Sequence, residues 1–331
     1  MRVSYDALYQ VMKERLVKYG ADEDIARACA RNLAETSLCG VYSHGLNRFT
    51  RIISMMKKGF IKPNERPERV SSMGALEVWD GRLGMGNTNA AFCMDRAIEL
   101  AKASGIGCAA LRNTNHWQRG GAFGVQAAGA GCVAVCWTTT MPNMPVWGGK
   151  NRRIGNNPLI FCVPYRDSYV LFDGAMSQFS YGAIESAQIA GRKLPVAGGY
   201  DERGMLTDDP AAIAKTWRTL PIGFWKGSGL SILMDMAAVV LSGGKPVCEI
   251  GRQGGTPEDE YGLNQVFIAM DARGSGAEVV DAVIADIKSA EFAEWSSEIR
   301  CPGEREKRLR AENERLGIPV DEGIWKAVNA L

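Results

Sequence analysis

The sequence predicts an α/β fold in which an α/β domain is joined to a helical domain formed by both chain termini. The first 60 residues have helical periodicity, and the last 30 return to charged helix. From about residue 75 onward, short β-type runs alternate with helical ones, which is an α/β pattern. We therefore predict a helical domain of residues 1–72 with 290–331 and an α/β domain of residues 73–289.

Three helices are predicted at the N-terminus. Gly20, Gly40 and Gly59 each follow a periodic segment, where a left-handed C-terminal cap suits glycine. The first helical segment, MRVSYDALYQVMKERLVKYG, is amphipathic and lacks the apolar stretch of a signal peptide. No apolar run approaches the ~20 residues that a membrane span needs. We therefore expect a cytoplasmic protein.

The α/β region is predicted to contain, in order, the strand ALEVWD, the helix NAAFCMDRAIELAKASG, the strand GCAALRN, the helix GAFGVQAAGAG and the strand CVAVCWTTT. Residues 141–215 are rich in Gly, Pro and Asn, and they predict long loops around the strands LIFCVP and YVLFD. The turn KGSG opens the apolar helix LSILMDMAAVVLSGG. A Gly-rich acidic loop, the strand NQVFIAMDA and the helix AEVVDAVIADIKSA follow it.

Charge and cysteine content exclude several classes of function. Against 39 Lys and Arg stand 37 Asp and Glu, so the net charge of +2 provides no field that attracts nucleic acid or an anionic membrane. The nine cysteines lie in apolar segments, with no CxxC pair and no histidine at ligand spacing. We therefore expect buried, reduced thiols, and neither a disulfide framework nor a metal site.

The nucleotide-binding signatures in the sequence stand in the wrong context. Tyr9 and Lys13 have the spacing of the short-chain dehydrogenase pair, but no nucleotide-binding unit precedes them. GAGCVA at 129–134 lies between a helix and a strand, which reverses the order that a phosphate-binding turn needs. GMGNTN at 84–89 has the right order, yet no acidic residue ends the next strand. KGSG at 226–229 fits either an anion site at a helix start or a tight turn with a solvated lysine.

One of only two histidines stands in the stretch GVYSHGLNRF. Ser43 is a suitable N-cap for the apolar periodic segment that follows, so His44 is predicted in the first helical turn. Arg48 then lies on the same face one turn later. Arginine binds a carboxylate through paired hydrogen bonds, and a neighbouring histidine can exchange a proton with a carbonyl or hydroxyl oxygen. This pair is what a 2-oxo acid reductase requires.

A helix start lowers the pKa of a histidine, so a proton-donating His44 needs a compensating negative charge. Asp173 is the candidate that we select from the sequence, and the bound substrate is the alternative. The second histidine, His116, follows a strand in the polar, glycine-rich segment RNTNHWQRGG, which is typical of a binding loop. We place it on the substrate side of the site.

The chain resembles the type-2 malate/L-lactate dehydrogenase family. The matching stretches follow the family order from residue 40 to residue 304, and they are SHGLNR, RNTNHWQRGG, NNPLIFCVP, DGAMSQFSYG, AGRKLP, WKGSGLSI and PGE. The resemblance implies a non-Rossmann fold that binds NAD or NADP, a homodimer, and an active site near the subunit interface. His44 matches the family's proton donor.

The same resemblance implies three cofactor-binding segments. The residues that match them are Tyr169, Val170, Leu171, Phe172, Asp173, Gly174, Ala175, Trp225, Lys226, Gly303, Glu304 and Arg305. The stretch PYRDSYVLFDGA is about one residue longer than its counterpart, and Gly174 stands where the family has methionine. The expected activity is NAD(P)H-dependent reduction of a 2-oxo acid.

Other functions stay open at this stage. Malate-, lactate-, ureidoglycolate- or sulfolactate-type dehydrogenases and cyclic imine reductases of the family would use the same proton and hydride chemistry. A non-catalytic relative that only binds a ligand is an alternative from a different class. The sequence does not decide between NAD and NADP, and it does not set the direction of the reaction.

Overall fold

The computed structural model describes residues 1–253, 259–274 and 276–331. In these residues the helices are α1 (Tyr5–Lys18), α2 (Glu23–Leu38), α3 (Leu46–Lys57), α4 (Gly86–Ser104), α5 (Gly121–Gly129), α6 (Tyr181–Ile189), α7 (Pro210–Thr216), α8 (Trp225–Ser242), α9 (Val247–Ile250), α10 (Ala277–Ser289), α11 (Glu304–Leu316) and α12 (Glu322–Ala330). A 3₁₀ turn spans Tyr42–His44.

The strands of the described residues are β1 (Arg2–Val3), β2 (Glu68–Met73), β3 (Leu76–Asp80), β4 (Ile106–Asn115), β5 (Cys132–Thr138), β6 (Met144–Pro145), β7 (Arg152–Ile154), β8 (Leu159–Tyr165), β9 (Ser168–Gly174), β10 (Gly199–Tyr200), β11 (Leu206–Thr207), β12 (Tyr261–Asp271) and β13 (Ile318–Pro319). The larger sheet has the order β2-β3-β4-β12-β5-β8-β9. Its β3–β4 pair is parallel, and the other pairs are antiparallel.

The predicted N-terminal helices are confirmed, together with their glycine ends. Gly20, Gly40 and Gly59 have φ values of 92°, 78° and 76°, which only glycine adopts without strain. The buried faces of α1–α3 form one core with residues from the other end of the chain, and its members include Leu8, Met12, Leu33, Phe49, Ile53, Ile318, Val320 and Val328. Strand β1 pairs in antiparallel fashion with β13, so backbone hydrogen bonds also join the N-terminal and C-terminal segments.

The large sheet lies between two layers of helix. On β12, Phe267 packs with α4 and α5, while Val266 contacts the opposite core beneath α8. Successive side chains of a strand point to opposite faces of the sheet, so neighbouring residues of β12 pack against different helical layers. The predicted strands and helices of residues 75–140 and the apolar helix after KGSG are present in the predicted order. Strand β2 begins the sheet at Glu68, so the boundary predicted after residue 72 falls at the end of this strand.

The prediction of irregular loops over residues 141–215 is wrong in part. Helices α6 and α7 lie within that segment. Ser180 accepts a hydrogen bond from Ala183 N at 3.2 Å, and Asp209 accepts one from Ala211 N at 2.9 Å, so each helix has an N-cap. Both helices are short and bury few apolar residues, which leaves little periodicity in the sequence to indicate them.

Both glycine motifs of the sequence have structural roles. GAGCVA lies between the end of α5 and the start of β5, as predicted for a helix end. At Gly86, the first residue of α4, a Cβ would lie 2.3 Å from the carbonyl oxygen of His116 and 2.4 Å from that of Asn115. Glycine is therefore required there because the end of β4 packs directly on the helix start, and this contact positions His116.

The nine cysteines are unpaired in this structure, and most of them are buried. Cys248 is exposed, so the prediction that the thiols are buried is wrong for this residue. It lies on the single-turn helix α9, which buries Val247 and Ile250 instead. Among the residues that the structure describes, no group of His, Cys, Asp and Glu side chains could hold a metal ion. In the same residues, no helix combines the length and the apolar character that crossing a bilayer demands.

Candidate active site

His44 lies in the 3₁₀ turn that precedes α3, so the predicted helix start at Ser43 is wrong. The helix begins at Leu46, with Gly45 at the N-cap position. The backbone N–H of Leu46 donates to Ser37 Oγ on α2 at 3.0 Å. A side chain from a neighbouring helix thus caps α3, and Ser43 Oγ is instead 3.0 Å from His44 Nδ1. His44 and Arg48 therefore do not share one helical face through regular spacing.

Gly45 allows the 3₁₀ turn to approach α2 closely. A Cβ at this position would lie 2.1 Å from Ser37 Oγ and 3.0 Å from the carbonyl oxygen of Leu33. These distances are too short for any side chain, so the glycine that follows His44 is required by packing. This contact fixes the distance between α2 and the 3₁₀ turn that carries His44.

Replacing Gly45 with alanine should lower the free energy of unfolding by about 1–3 kcal/mol, because the added methyl group overpacks the contact with Ser37. Urea unfolding measures this change. Gly229→Ala is the matched control, since a Cβ at Gly229 has nothing within 4 Å and alanine favours the helix. Equal stability of Gly45→Ala and the wild-type protein would contradict the packing role of Gly45.

Arg48 lies close enough to His44 to influence its protonation. Burial, and then the positive charge of Arg48, lower the pKa of His44 to about 4. His44 is therefore neutral at neutral pH before any ligand binds. Asp173 is not the compensating charge that we selected from the sequence, because its Oδ2 accepts a hydrogen bond from Gly121 N at 2.7 Å and its electrostatic partners are Arg119 and Glu306.

His116 stacks on His44, with ring centroids 5.6 Å apart and an interplanar angle of 22°. The backbone N–H of Gln118 donates to His116 Nδ1 at 3.0 Å, so the proton of the neutral ring is on Nε2. Burial, followed by the charges of Arg48 and His44, holds the pKa of His116 well below its usual value. The structure thus brings together two neutral imidazoles and one guanidinium, whereas the predicted proton donation requires a protonated His44.

Glu260 completes this group, and sequence reasoning missed it. Its Oε2 is 3.3 Å from Arg48 Nη2 and 4.0 Å from His116 Nε2, while its Oε1 accepts a hydrogen bond from Met141 N at 3.2 Å. The carboxylate precedes β12 in the acidic loop, 212 residues from Arg48 in the chain. The only signal was the run of acidic residues before a buried strand. Glu260 forms an ion pair with Arg48 and partly offsets its charge.

A narrow pocket lies beside His116, between α3 and the end of β4. Its polar lining consists of Arg48, Arg51, Asn115, His116, Gln118 and Glu260, and its apolar lining includes Ile52, Met55, Ile61 and Met85. Two acceptors in this lining, Asn115 Oδ1 and Gln118 Oε1, are buried and have no hydrogen-bond partner among the described residues. Gln118 also has a φ of 68°, a strained value that is common at binding sites. At about 20 Å³ the pocket has room for no more than a water molecule, and its polar lining combines two arginines with a carboxylate and amide groups.

The start of α6 covers the 3₁₀ turn from the other side. A Cβ at Gly182 would lie 3.6 Å from Ser43 Cβ. Beside it, the hydroxyl of Tyr181 donates to the carbonyl oxygen of Asn143 at 2.6 Å, which connects the helix to the loop after β5. Sequence reasoning did not select these residues, because they belong to the segment predicted as irregular loops. The contact with Ser43 places the start of α6 beside the turn that carries His44.

Two of the three candidate cofactor segments are in direct contact. Leu171 N donates to the carbonyl oxygen of Pro302 at 3.3 Å, and a Cβ at Gly303 would lie 3.3 Å from Leu171 Cβ. We call this surface, formed by residues 169–175 and 303–305, the candidate cofactor groove. Gly174 is also accounted for locally, since a Cβ there would lie 2.6 Å from Phe172 Cζ. The ring of Phe172 occupies the room that a larger residue at 174 would need.

The third segment, Trp225 and Lys226, begins α8. It is linked to the groove through Met176, whose carbonyl oxygen accepts a hydrogen bond from Ile222 N at 2.9 Å. Trp225 is 66% exposed, and Lys226 lies in the first turn of α8, so KGSG is part of the helix and not a turn before it. The three segments therefore follow one another across the same region of the α/β layer.

Comparisons with known proteins agree with this architecture. The family model described as malate/L-lactate dehydrogenase matches residues 3–329. The chain is 45% identical to 2,3-diketo-L-gulonate reductase of Citrobacter koseri over 340 residues, covering 100% of both proteins. Malate dehydrogenase from Entamoeba histolytica has a TM-score of 0.92 at 25% identity, over 100% of this chain and 96% of its own. Sulfolactate dehydrogenase from Methanocaldococcus jannaschii has a TM-score of 0.90 at 29% identity, over 99% and 95%.

Proposed function

The chain belongs to the malate/L-lactate dehydrogenase family, and from this premise we propose that it reduces 2,3-diketo-L-gulonate with a nicotinamide cofactor. It is an oxidoreductase that acts on 2-oxo acids. The observation that carries the specific proposal is the full-length similarity to 2,3-diketo-L-gulonate reductases. The group formed by Arg48, His116 and Glu260 supports it, because these side chains are of the kind that bind the carboxylate and hydroxyl groups of a sugar acid.

His44 is the proposed proton donor, and Arg48 is the proposed carboxylate-binding residue. The His44 ring and the Arg48 guanidinium lie near each other, so one 2-oxo acid can contact both. His116 is the proposed substrate-side residue, and its Nε2–H can donate to an oxygen of the same substrate. A carboxylate bound by Arg48 also places a negative charge near His44, which favours the imidazolium form that donates a proton. In the reverse direction, the neutral His44 accepts the proton of a 2-hydroxy acid.

The proposed cofactor is NAD(H), with NADP(H) as the alternative. The residues that would hold it are Tyr169, Val170, Leu171, Phe172, Asp173, Gly174, Ala175, Trp225, Lys226, Gly303, Glu304 and Arg305. Exposed aromatic rings at Phe172 and Trp225 fit its flat ring systems, and Lys226 in the first turn of α8 fits its phosphates. When bound, the reduced nicotinamide supplies the hydride for the carbonyl carbon.

Protonation of His44 should make the two directions of the reaction respond oppositely to pH. The imidazole of the free enzyme has a pKa of about 4, so kcat/KM for reduction should fall as pH rises above that value. For oxidation, kcat/KM should be lost as pH falls through the same value, because the neutral base becomes protonated. The bound substrate carries a negative charge, which raises the pKa of His44 in the complex. The kcat profile, which reports the complex, should therefore lie at higher pH than the kcat/KM profile, which reports the free enzyme. Identical, flat profiles in both directions would contradict the role of His44.

We also propose that the protein is a cytoplasmic homodimer with the two-domain division of residues 1–72 with 290–331 and 73–289. Helix α8 supports the dimer, since it carries an exposed apolar stripe of Leu230, Leu233, Met236 and Val240. The stripe begins one turn after Lys226, so a partner subunit seated on it would lie beside the cofactor segments. Light scattering of the wild-type protein and of Leu233→Glu tests this assembly.

A nicotinamide oxidation assay tests the proposed function. Purified protein is supplied with NADH or NADPH and with 2,3-diketo-L-gulonate, oxaloacetate, pyruvate, sulfopyruvate and a cyclic imine carboxylate. We expect the largest kcat/KM with 2,3-diketo-L-gulonate. Preference for another 2-oxo acid or for the imine would assign the corresponding activity of the same family. Binding of the acids without any absorbance change would support a non-catalytic ligand-binding protein.

A further inference from the structure

We propose that Arg119 is a positioning residue that holds the two segments of the candidate cofactor groove in place and connects them to the loop that carries His116. The inference rests on the proposed function, because it concerns the binding of the proposed nicotinamide cofactor. Arg119 follows His116 by three residues in the stretch NHWQRGG, between β4 and α5. The chemistry argued above assigns no role to it.

The side chain of Arg119 reaches from this loop to the start of α11. It is only 4% exposed, and its Nη2 forms an ion pair with Glu306, which lies 187 residues away in the first turn of the helix. Glu306 is itself 20% exposed. Because the helix begins directly after Gly303, this ion pair fixes the position of residues 303–305 relative to the loop. An arginine that is nearly excluded from solvent also has few alternative conformations.

The other segment of the groove meets Arg119 at Gly121. Asp173 Oδ2 accepts a hydrogen bond from Gly121 N at 2.7 Å. A Cβ at Gly121 would lie 2.8 Å from this oxygen and 3.4 Å from Arg119 Nε, so both groups flank the same glycine. The guanidinium and the carboxylate attract each other, and Arg119 Nε is buried without a hydrogen-bond partner in the part of the chain that the structure describes.

The arrangement places one positive charge between two carboxylates. Glu306 and Asp173 repel each other, and Arg119 offsets both. Backbone contacts join the two segments as well, through Leu171 N and the carbonyl oxygen of Pro302. Without Arg119, Glu306 would lose its ion pair and Asp173 would lose the attraction of the guanidinium, so the relative position of the segments would depend on the backbone contact. A small separation of binding segments is sufficient to weaken a ligand that contacts both.

The experiment measures the dissociation constant of NADH alone by isothermal titration calorimetry, so it does not depend on turnover. Arg119→Ala should weaken NADH binding by about tenfold or more. Arg119→Lys should give an intermediate value, because it keeps the charge but loses the paired donors. At saturating NADH, the KM for the 2-oxo acid should stay close to that of the wild-type enzyme. Arg2→Ala is the matched control, since Arg2 pairs with Glu312 on α11 away from the groove.

Each outcome decides the proposal. An unchanged NADH dissociation constant in folded Arg119→Ala, with only a lower melting temperature, would show a purely structural role and overturn it. If Arg119→Ala does not fold, the NADH dissociation constants of Arg119→Lys and Glu306→Gln are measured instead, and values equal to that of the wild-type protein would overturn the proposal. Wild-type protein that binds neither NADH nor NADPH would overturn both this proposal and the proposed function. Wild-type binding with an unaffected Arg119 variant would overturn this proposal alone.

Discussion

Substituting His44 by asparagine should lower turnover by about 10²- to 10⁴-fold, which is the usual contribution of a general acid or base. Asparagine can keep a hydrogen bond to Ser43, and the 3₁₀ turn is held by Gly45 rather than by the imidazole. The candidate cofactor segments belong to β9, α8 and α11, so the dissociation constant of NADH should stay nearly unchanged. Single-turnover kinetics and NADH titration measure the two effects separately.

Ser43→Ala is the matched control for His44→Asn. It removes the 3.0 Å contact with Nδ1 but leaves the imidazole and its neighbours in place. We expect it to reduce turnover far less than the loss of the ring. The pH dependence provides a second check, because His44→Asn should remove the slope that we assign to His44. Near-normal turnover in His44→Asn would show that another group transfers the proton.

Replacing Arg48 with alanine should raise the KM for the 2-oxo acid by about 10- to 100-fold, since a charge-assisted hydrogen bond contributes about 1.5–3 kcal/mol. The same change removes the positive charge that lowers the pKa of His44. The pKa seen in the kcat/KM profile should therefore move upward from about 4, toward the ordinary value for histidine. A substrate series measured across a pH range tests both effects.

The partner of Arg48 must be controlled, because Arg48→Ala leaves Glu260 without its ion pair. The double variant Arg48→Ala/Glu260→Gln removes both charges and should retain most of the rise in KM. Arg48→Lys keeps the charge but not the paired donors, so its KM should be intermediate. An unchanged KM in Arg48→Ala would remove the carboxylate-binding role, and a restored KM in the double variant would assign the effect to Glu260.

The sequence was sufficient for the elements with strong periodicity, such as α1–α4 and the strands of the large sheet other than β2, whose residues are all exposed. It was also sufficient to select His44, Arg48 and His116 as neighbours, and the family resemblance that it carried is confirmed. It did not locate the start of α3, because Ser37, which caps that helix, lies nine residues upstream on another helix. Local capping rules consider only the adjoining residues, so they selected Ser43.

The rest of the site depends on contacts between distant parts of the chain. Glu260 reaches Arg48 across 212 residues, and no periodicity or spacing relates the two positions. The same holds for Arg119 and Glu306, which are brought together only by the packing of α11 on the α/β layer. The roles of the cofactor segments rested on the resemblance alone, and they stay predictions.

The shared core of the two chain ends has a consequence for synthesis in the cell. The ribosome makes α1–α3 well before Ile318, Val320 and Val328, which belong to the same core. The helices that surround His44 therefore expose apolar surface throughout translation. Domains usually fold in the order in which they are made. The helical layer, by contrast, is complete only after β13 and α12 have been made. We expect the proton-transfer site to mature only after the sheet beneath it has folded.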